Sequence, residues 1–176
     1  MSQIQKIRLC EEIDEFLISS KQLLGTQPVW RQNGSSDRLD GSWVIEENEG
    51  ISRAYLSFRL NRVSTAEPSV SLIFKKKPVC RVDIKSTEES DGNPIQAHKF
   101  GLPGQVYGPH IHRWDYNREY VLQALPPDEW QIPIKEEISP STQTLGHILA
   151  MICSQCKIDF SPEQRHVTLP ARERLI

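Results

Sequence analysis

The chain has 176 residues, 38% of them hydrophobic and 25% charged, with a formal net charge of −2. That length suits one domain with a core of its own and leaves two cramped. The near-neutral balance excludes a chain that binds polyanions over its whole surface, and no apolar run reaches the roughly 20 residues of a membrane helix.

The start, "MSQIQKIRLCEEIDEF", has acids where a signal peptide needs an unbroken apolar stretch, which predicts a cytoplasmic protein. Leu9, Ile13, Phe16, Leu17, Leu23 and Leu24 recur at helical spacing. They predict an amphipathic helix over 2–24 with Ser2 as its cap and Gly25 as its stop. A polar loop over 26–41 is expected next. Residues 42–60 read as a β-hairpin. In its second strand Ala54, Leu56, Phe58 and Leu60 alternate with Arg53, Tyr55, Ser57 and Arg59. Val70, Leu72 and Phe74 repeat the pattern, "KKKP" turns the chain, and Cys80, Val82 and Ile84 alternate with Arg81, Asp83 and Lys85. Three such strands predict an antiparallel meander with one wet side.

That wet side is basic. Residues 51–85 hold eight Lys or Arg against two acids, while residues 1–50 hold five against nine. The stretch 86–108, dense in Gly, Pro and Ser, reads as a long loop. "PHIHRWDY" then enters a fourth strand, with "REYVLQAL" a fifth strand or a helix start. Ser139-Pro140 marks the start of a closing helix over 139–156 with Leu145, Ile148, Leu149 and Ile152 as its stripe. Residues 161–176 read as a flexible tail. The fold expected is α+β: one domain over 1–160, a twisted, mainly antiparallel sheet of four or more strands, and the N- and C-terminal helices on its apolar face.

Three constellations bear on chemistry. On a strand, His110, His112, Trp114 and Tyr116 share one face, the spacing of a metal pair or of a proton-transfer pair. "GQVYGPHIH" matches the opening of a cupin metal motif, but its following acid and third histidine are missing, so neither metal nor cofactor is expected. Cys153 and Cys156 stand two apart in an apolar helix with no second pair, and together with Cys10 and Cys80 they read as reduced core residues. The basic face is the third. Arg53, Tyr55, Arg59, Lys75, Lys85 and Trp114 are candidate nucleic-acid contacts. His110, His112, Arg81 and Asp83 are candidate catalytic residues for metal-independent phosphodiester chemistry, the histidines exchanging protons and the arginine stabilising charge on phosphorus.

"RVDI" (81–84), an Asn93-Pro94 turn, "PHIH" (109–112) and a closing helix together resemble small bacterial families that include the TumE-type toxins of toxin–antitoxin loci. The resemblance spans roughly residues 50–155, and this chain adds an N-terminal helix and a longer 86–108 segment. It implies a bacterial conflict or defence role, with Arg81, Asp83, His110 and His112 at the matching positions. The partner it implies is a cognate antitoxin, while RNA is the partner that the basic face predicts; no known reaction follows from the resemblance. The competing expectation is a non-catalytic module that docks on a larger nucleic-acid-processing effector, using exposed aromatics such as Trp30 and Trp130. A His-based metal site is the third alternative. None of these readings involves a membrane.

Overall fold

Eleven strands and three α-helices follow one another in a computed structural model that describes residues 1–32, 38–61, 67–139 and 144–170. Helix α1 (Gln3–Ile18) is followed by β1 (Lys21–Leu23), β2 (Val29–Gln32), β3 (Arg38–Glu47), β4 (Ala54–Asn61), β5 (Ser69–Phe74) and β6 (Lys77–Asp83). A small excursion holds β7 (Ser90–Gly92), a 3-10 turn (Ile95–Phe100) and β8 (Gln105–Tyr107). Next come β9 (His110–His112), α2 (Trp114–Gln123), β10 (Glu136–Glu137), α3 (Leu145–Gln155) and β11 (Ile158–Asp159). Among the described residues nine strands form one sheet in the order β10-β9-β6-β5-β4-β3-β1-β11, with β2 also paired to β3. Every pairing in it is antiparallel except β1 with β11. No helix among the described residues is long and apolar enough to cross a membrane.

The expected register holds through the meander. Ala54, Leu56, Phe58 and Leu60 are buried, as are Val70, Leu72, Phe74, Cys80, Val82 and Ile84. Helices α1 and α3 cover this apolar face with Cys10, Ile13, Phe16, Ile148, Leu149 and Ile152, in one cluster with the strand residues. Phe16 of α1 meets Phe74 of β5 with ring centroids 4.8 Å apart. Leu145, expected in the core, is only partly buried. The β5–β6 connection is tight. Lys75 and Lys76 both take positive φ, 45° and 66°, the handedness that suits a two-residue hairpin between right-twisted strands.

Several boundaries differ from expectation. Ser2 does cap α1, and Gln5 closes a reciprocal capping box with it. The helix nevertheless ends at Ile18 rather than near Leu24. Leu23 is buried from β1, because Lys21–Leu23 pair with Ile45–Glu47 of β3. Apolar spacing alone cannot separate a helix's last turn from a short buried strand. The "loop" 26–41 contains β2 and the start of β3. Thr144, not Ser139, caps α3, and Pro140 lies outside the described residues. Of the expected tail, 161–170 is anchored: buried Gln164 donates to the carbonyls of Leu23 and Gly25, and the Trp30 indole donates to Thr168. Residues 171–176 lie outside the description.

Gly41 on β3 allows Trp30 to lie across the sheet. A Cβ there would meet the Trp30 ring at 2.6 Å and Phe58 at 2.9 Å. Gly41→Val is therefore expected to lower unfolding free energy by about 1–3 kcal/mol through overpacking. Urea denaturation checks it, and an unchanged midpoint would show that the Trp30 ring yields freely.

Candidate functional site

The polar face of the sheet is organised in cross-strand rungs. Antiparallel register sets Ser57, Ser71, Arg81 and His112 side by side on β4, β5, β6 and β9. The next rung on the same face is Arg59, Ser69, Asp83 and His110. All eight side chains share a face because each strand shifts by two residues between rungs. Seven of the nine residues lining a cleft of about 290 Å³ come from these strands or their end: Ser57, Arg59, Ser69, Ser71, Arg81, Asp83 and Lys85. Asp91 of β7 and Lys135, from the extended segment before β10, complete it.

The histidines lie beneath this cleft. Each is 1% exposed, so the polar face on which strand alternation puts them is covered here rather than open to solvent. The 86–108 segment, expected to be a loop, instead folds as the β7–β8 pair and the 3-10 turn, and brings Asp91 to within 3.5 Å of His110 Nε2. His110 Nδ1 lies 2.9 Å from the Gly108 carbonyl, and His112 Nδ1 lies 2.6 Å from the Ile132 carbonyl. A carbonyl only accepts, so both Nδ1 atoms carry hydrogen and donate. When the rings are neutral, both Nε2 atoms then present lone pairs. They face one carboxylate: Asp83 Oδ2 is 3.4 Å from His112 Nε2 and 3.5 Å from His110 Nε2. Arg81 closes the group from the cleft side. Its Nε is 2.7 Å from Asp83 Oδ2, and its Nη2 donates to His112 Nε2 at 3.0 Å.

The electrostatics follow from burial and these neighbours. Burial alone would raise the Asp83 carboxyl, but the two histidines, as donors whenever their Nε2 atoms carry a proton, the Arg81 charge and Ser69 hold it well below the usual carboxylate range. Burial pushes His112 down, helped by Arg81 and opposed by Asp83, so its ring is neutral and can accept from Arg81. Burial also lowers Lys135, with Asp91 working against it. Four cations line the cleft against two carboxylates. Arg81 is paired with Asp83 and Lys85 with Asp91, while among the described residues neither Arg59 nor Lys135 is paired with a carboxylate. Among the described residues, Asp83, His110 and His112 form the group that could hold a metal ion, since their ligand atoms all lie within 4.8 Å of one another. The acid that the linear motif lacks thus comes from the neighbouring strand.

Other candidates lie elsewhere. Arg53, Tyr55 and Lys75 border a second groove of about 700 Å³ on the sheet. Arg53 is held by Glu47 through two contacts, 3.0 and 2.5 Å, and Lys75 by Glu12 of α1 at 2.5 Å, so neither is an open cation. Trp114 is not on the histidine strand. It opens α2, buried at 6% exposure, stacks on Trp130 at 5.7 Å and donates its indole to Asp14. The strand alternation stops at His112, so Trp114 and Tyr116 both belong to α2, where Trp114, Asn117 and Val121 are buried at helical spacing. Trp30 and Trp130, expected as exposed docking aromatics, are partly buried against the core. The four cysteines are buried and free, and Cys153 is pushed up to about 12 by burial.

Asp91, Lys135 and Asn117 carried no chemical signal in the sequence, and Asn93 entered only as part of a turn. The two asparagines pin a proline-containing segment that makes no strand over 131–135. Asn93 donates to the Lys135 carbonyl and accepts from its N–H, at 2.9 Å each. Asn117 does the same to Ile134 at 2.7 and 2.8 Å. This places Lys135 in the cleft and the Ile132 carbonyl against His112. Comparison with protein-family models, with curated proteins and with solved structures gives no match for this chain.

Proposed function

We propose that this protein acts on RNA, seating a phosphodiester in the cationic cleft over β4, β5 and β6, with Arg81, Asp83, His110 and His112 as its reacting centre. One observation carries the reading: Arg59, Arg81, Lys85 and Lys135 line a single cleft whose floor, through Arg81 and Asp83, is in direct contact with the buried histidines. Arg59 and Lys135 supply charge for a phosphate, and Ser57, Ser69 and Ser71 add hydroxyls to the cleft wall that can hydrogen-bond sugar or phosphate oxygens. A volume of about 290 Å³ fits a single-nucleotide subsite rather than a duplex groove. Arg81, with its side chain 41% exposed, is the residue placed to touch phosphate. Its withdrawal into the cleft would uncover the His112 lone pair. A conflict-locus role, as the toxin resemblance implies, is the setting proposed for such an activity, and an antitoxin is the partner it would require. The docking alternative loses support, because the two tryptophans it relied on are packed against the core.

The test is salt-dependent RNA binding. Each phosphate contact with a single strand contributes about 0.7 to the slope of log affinity against log salt. Arg59→Gln with Lys135→Gln should weaken binding about tenfold or more near 0.1 M salt and reduce the slope by roughly 1.4. Arg53→Gln, whose charge is already taken by Glu47, should leave both nearly unchanged. Wild-type protein with no salt-sensitive RNA binding would remove this reading in favour of docking.

A further inference from the structure

We propose that Asp83, His110 and His112 form a binding site for one divalent transition-metal ion of the zinc or iron(II) class, with Arg81 as the resident cation that the ion displaces. As a reacting centre the ion deepens the RNA reading and rests on it. As a binding site it stands on geometry alone.

Four observations point to it. The three ligands come from paired strands, with Asp83 directly opposite His110 and His112 one step along on the same face. Such a frame fixes ligand positions better than loops do. Both Nδ1 atoms donate to backbone carbonyls, which is the outer contact that orients a metal-binding imidazole and turns its Nε2 lone pair inward. His110 is 1% exposed, yet its Nε2 has no hydrogen-bond partner and is aimed at the cluster. A buried polar atom left so is rare and calls for an occupant. Finally, the two carboxylate–imidazole separations fit, and all three ligand atoms lie within 4.8 Å of one another. Asp83 Oδ2 stands 3.5 Å from one Nε2 and 3.4 Å from the other. A tetrahedron with bonds of about 2.0–2.1 Å has edges of about 3.3 Å.

Arg81 fits the same picture. Three converging lone-pair groups need a positive charge, and the guanidinium supplies one at Asp83 Oδ2 and His112 Nε2. It leaves His110 Nε2 unsatisfied, so it answers only part of the demand. Its half-exposed side chain has room to swing into the cleft. Three protein ligands leave a fourth position for water or a phosphate oxygen, the arrangement of catalytic rather than closed structural sites. Two imidazoles with one carboxylate favour zinc, iron(II), cobalt or nickel over magnesium or calcium.

The experiment uses the full chain, stripped with chelator and titrated with Zn²⁺ by calorimetry and with Co²⁺ by visible absorption. One ion per chain is expected, with the intense visible bands of low-coordinate Co²⁺. His110→Ala and Asp83→Ala should each weaken binding at least tenfold and lose those bands, with folding checked by circular dichroism. Arg81→Met keeps the ligands and removes the competing cation, so it should bind at least as tightly as wild type. His98→Ala, an exposed histidine outside the cluster, should change nothing. The proposal is overturned if neither wild type nor Arg81→Met binds a stoichiometric ion, or if folded ligand variants bind as well as wild type. RNA binding measured separately, with and without chelator, shows whether the RNA reading stands or falls independently.

Discussion

Asn117→Ala should lower unfolding free energy by about 3–5 kcal/mol, among the largest losses expected from any single polar substitution in this chain. Asn117 is fully buried. Its amide nitrogen donates to the carbonyls of Arg113 and Ile134, both at 2.7 Å, and its oxygen accepts from the Ile134 N–H at 2.8 Å. Alanine removes all three bonds and leaves the peptide of Ile134 with no replacement. Each buried group stranded in this way costs about 1–3 kcal/mol. Asn117→Asp keeps the acceptor but loses both donors and buries a charge, so it should be no milder. Asn93→Ala removes the adjacent clamp on Lys135, in a more open place, and should cost about 1–2 kcal/mol. Because both asparagines hold neighbouring residues of one segment, the double variant should lose less than the sum. Guanidinium denaturation measures each. A loss under about 1 kcal/mol for Asn117→Ala would mean that the segment is held by its other contacts.

The second large effect is alkaline. Lys21 is 5% exposed, and burial pushes it down to about 8 from 10.5, opposed by Cys156 and Glu47. The unfolded chain therefore binds the extra proton between those two values. Stability contributed at this site rises with pH across that window, and below it the buried charge is a standing cost. Lys21→Met should stabilise the protein at pH 7 by about 1–2 kcal/mol, after losing the hydrogen bond to Ser19. The advantage should shrink to nothing by about pH 10. Buried thiols act with the opposite sign. Cys10 is pushed up to about 11 and Cys153 to about 12, both chiefly by burial, from 9.0. Their stabilising contribution is present below pH 9 and is lost as pH rises through the folded values, because the unfolded thiols ionise first. Urea unfolding of wild type and Lys21→Met from pH 7 to 10.5 separates the two. A gap between them that stays constant with pH would refute the lysine assignment.

The meander was legible because one rule decides it. Alternation put Leu56, Leu72 and Val82 inside and Arg59, Ser69, Arg81 and Asp83 outside, and those outward residues do line one cleft. The histidine strand was legible in parity but not in depth. Ile111 is buried in the core, and the opposite face bearing His110 and His112 is covered too. The cover comes from Asp91 and from the 132–135 segment, whose placement depends on two asparagine side chains imitating peptide groups. Hydrogen bonds of that kind leave no periodic trace in a sequence. The same limit hid the third metal-capable ligand. Past His112 the chain has Tyr116 and Asn117 where the cupin motif has its acid, whereas the pairing of β6 with β9 sets Asp83 opposite His110.

The sheet's ends have a consequence for self-association. A long open edge offers unpaired backbone on which another chain can template, and wide antiparallel sheets are prone to it. Here the order finishes at β10 on one side and β11 on the other, each only two residues long. Both carry acid: Glu136 and Glu137 on the first, Asp159 on the second. A second copy approaching either edge would find two residues of ladder and a like charge. The two ends of that strand order are therefore too short and too acidic to extend the sheet, which leaves the four-residue β2 beside β3 as the longer edge among the described residues.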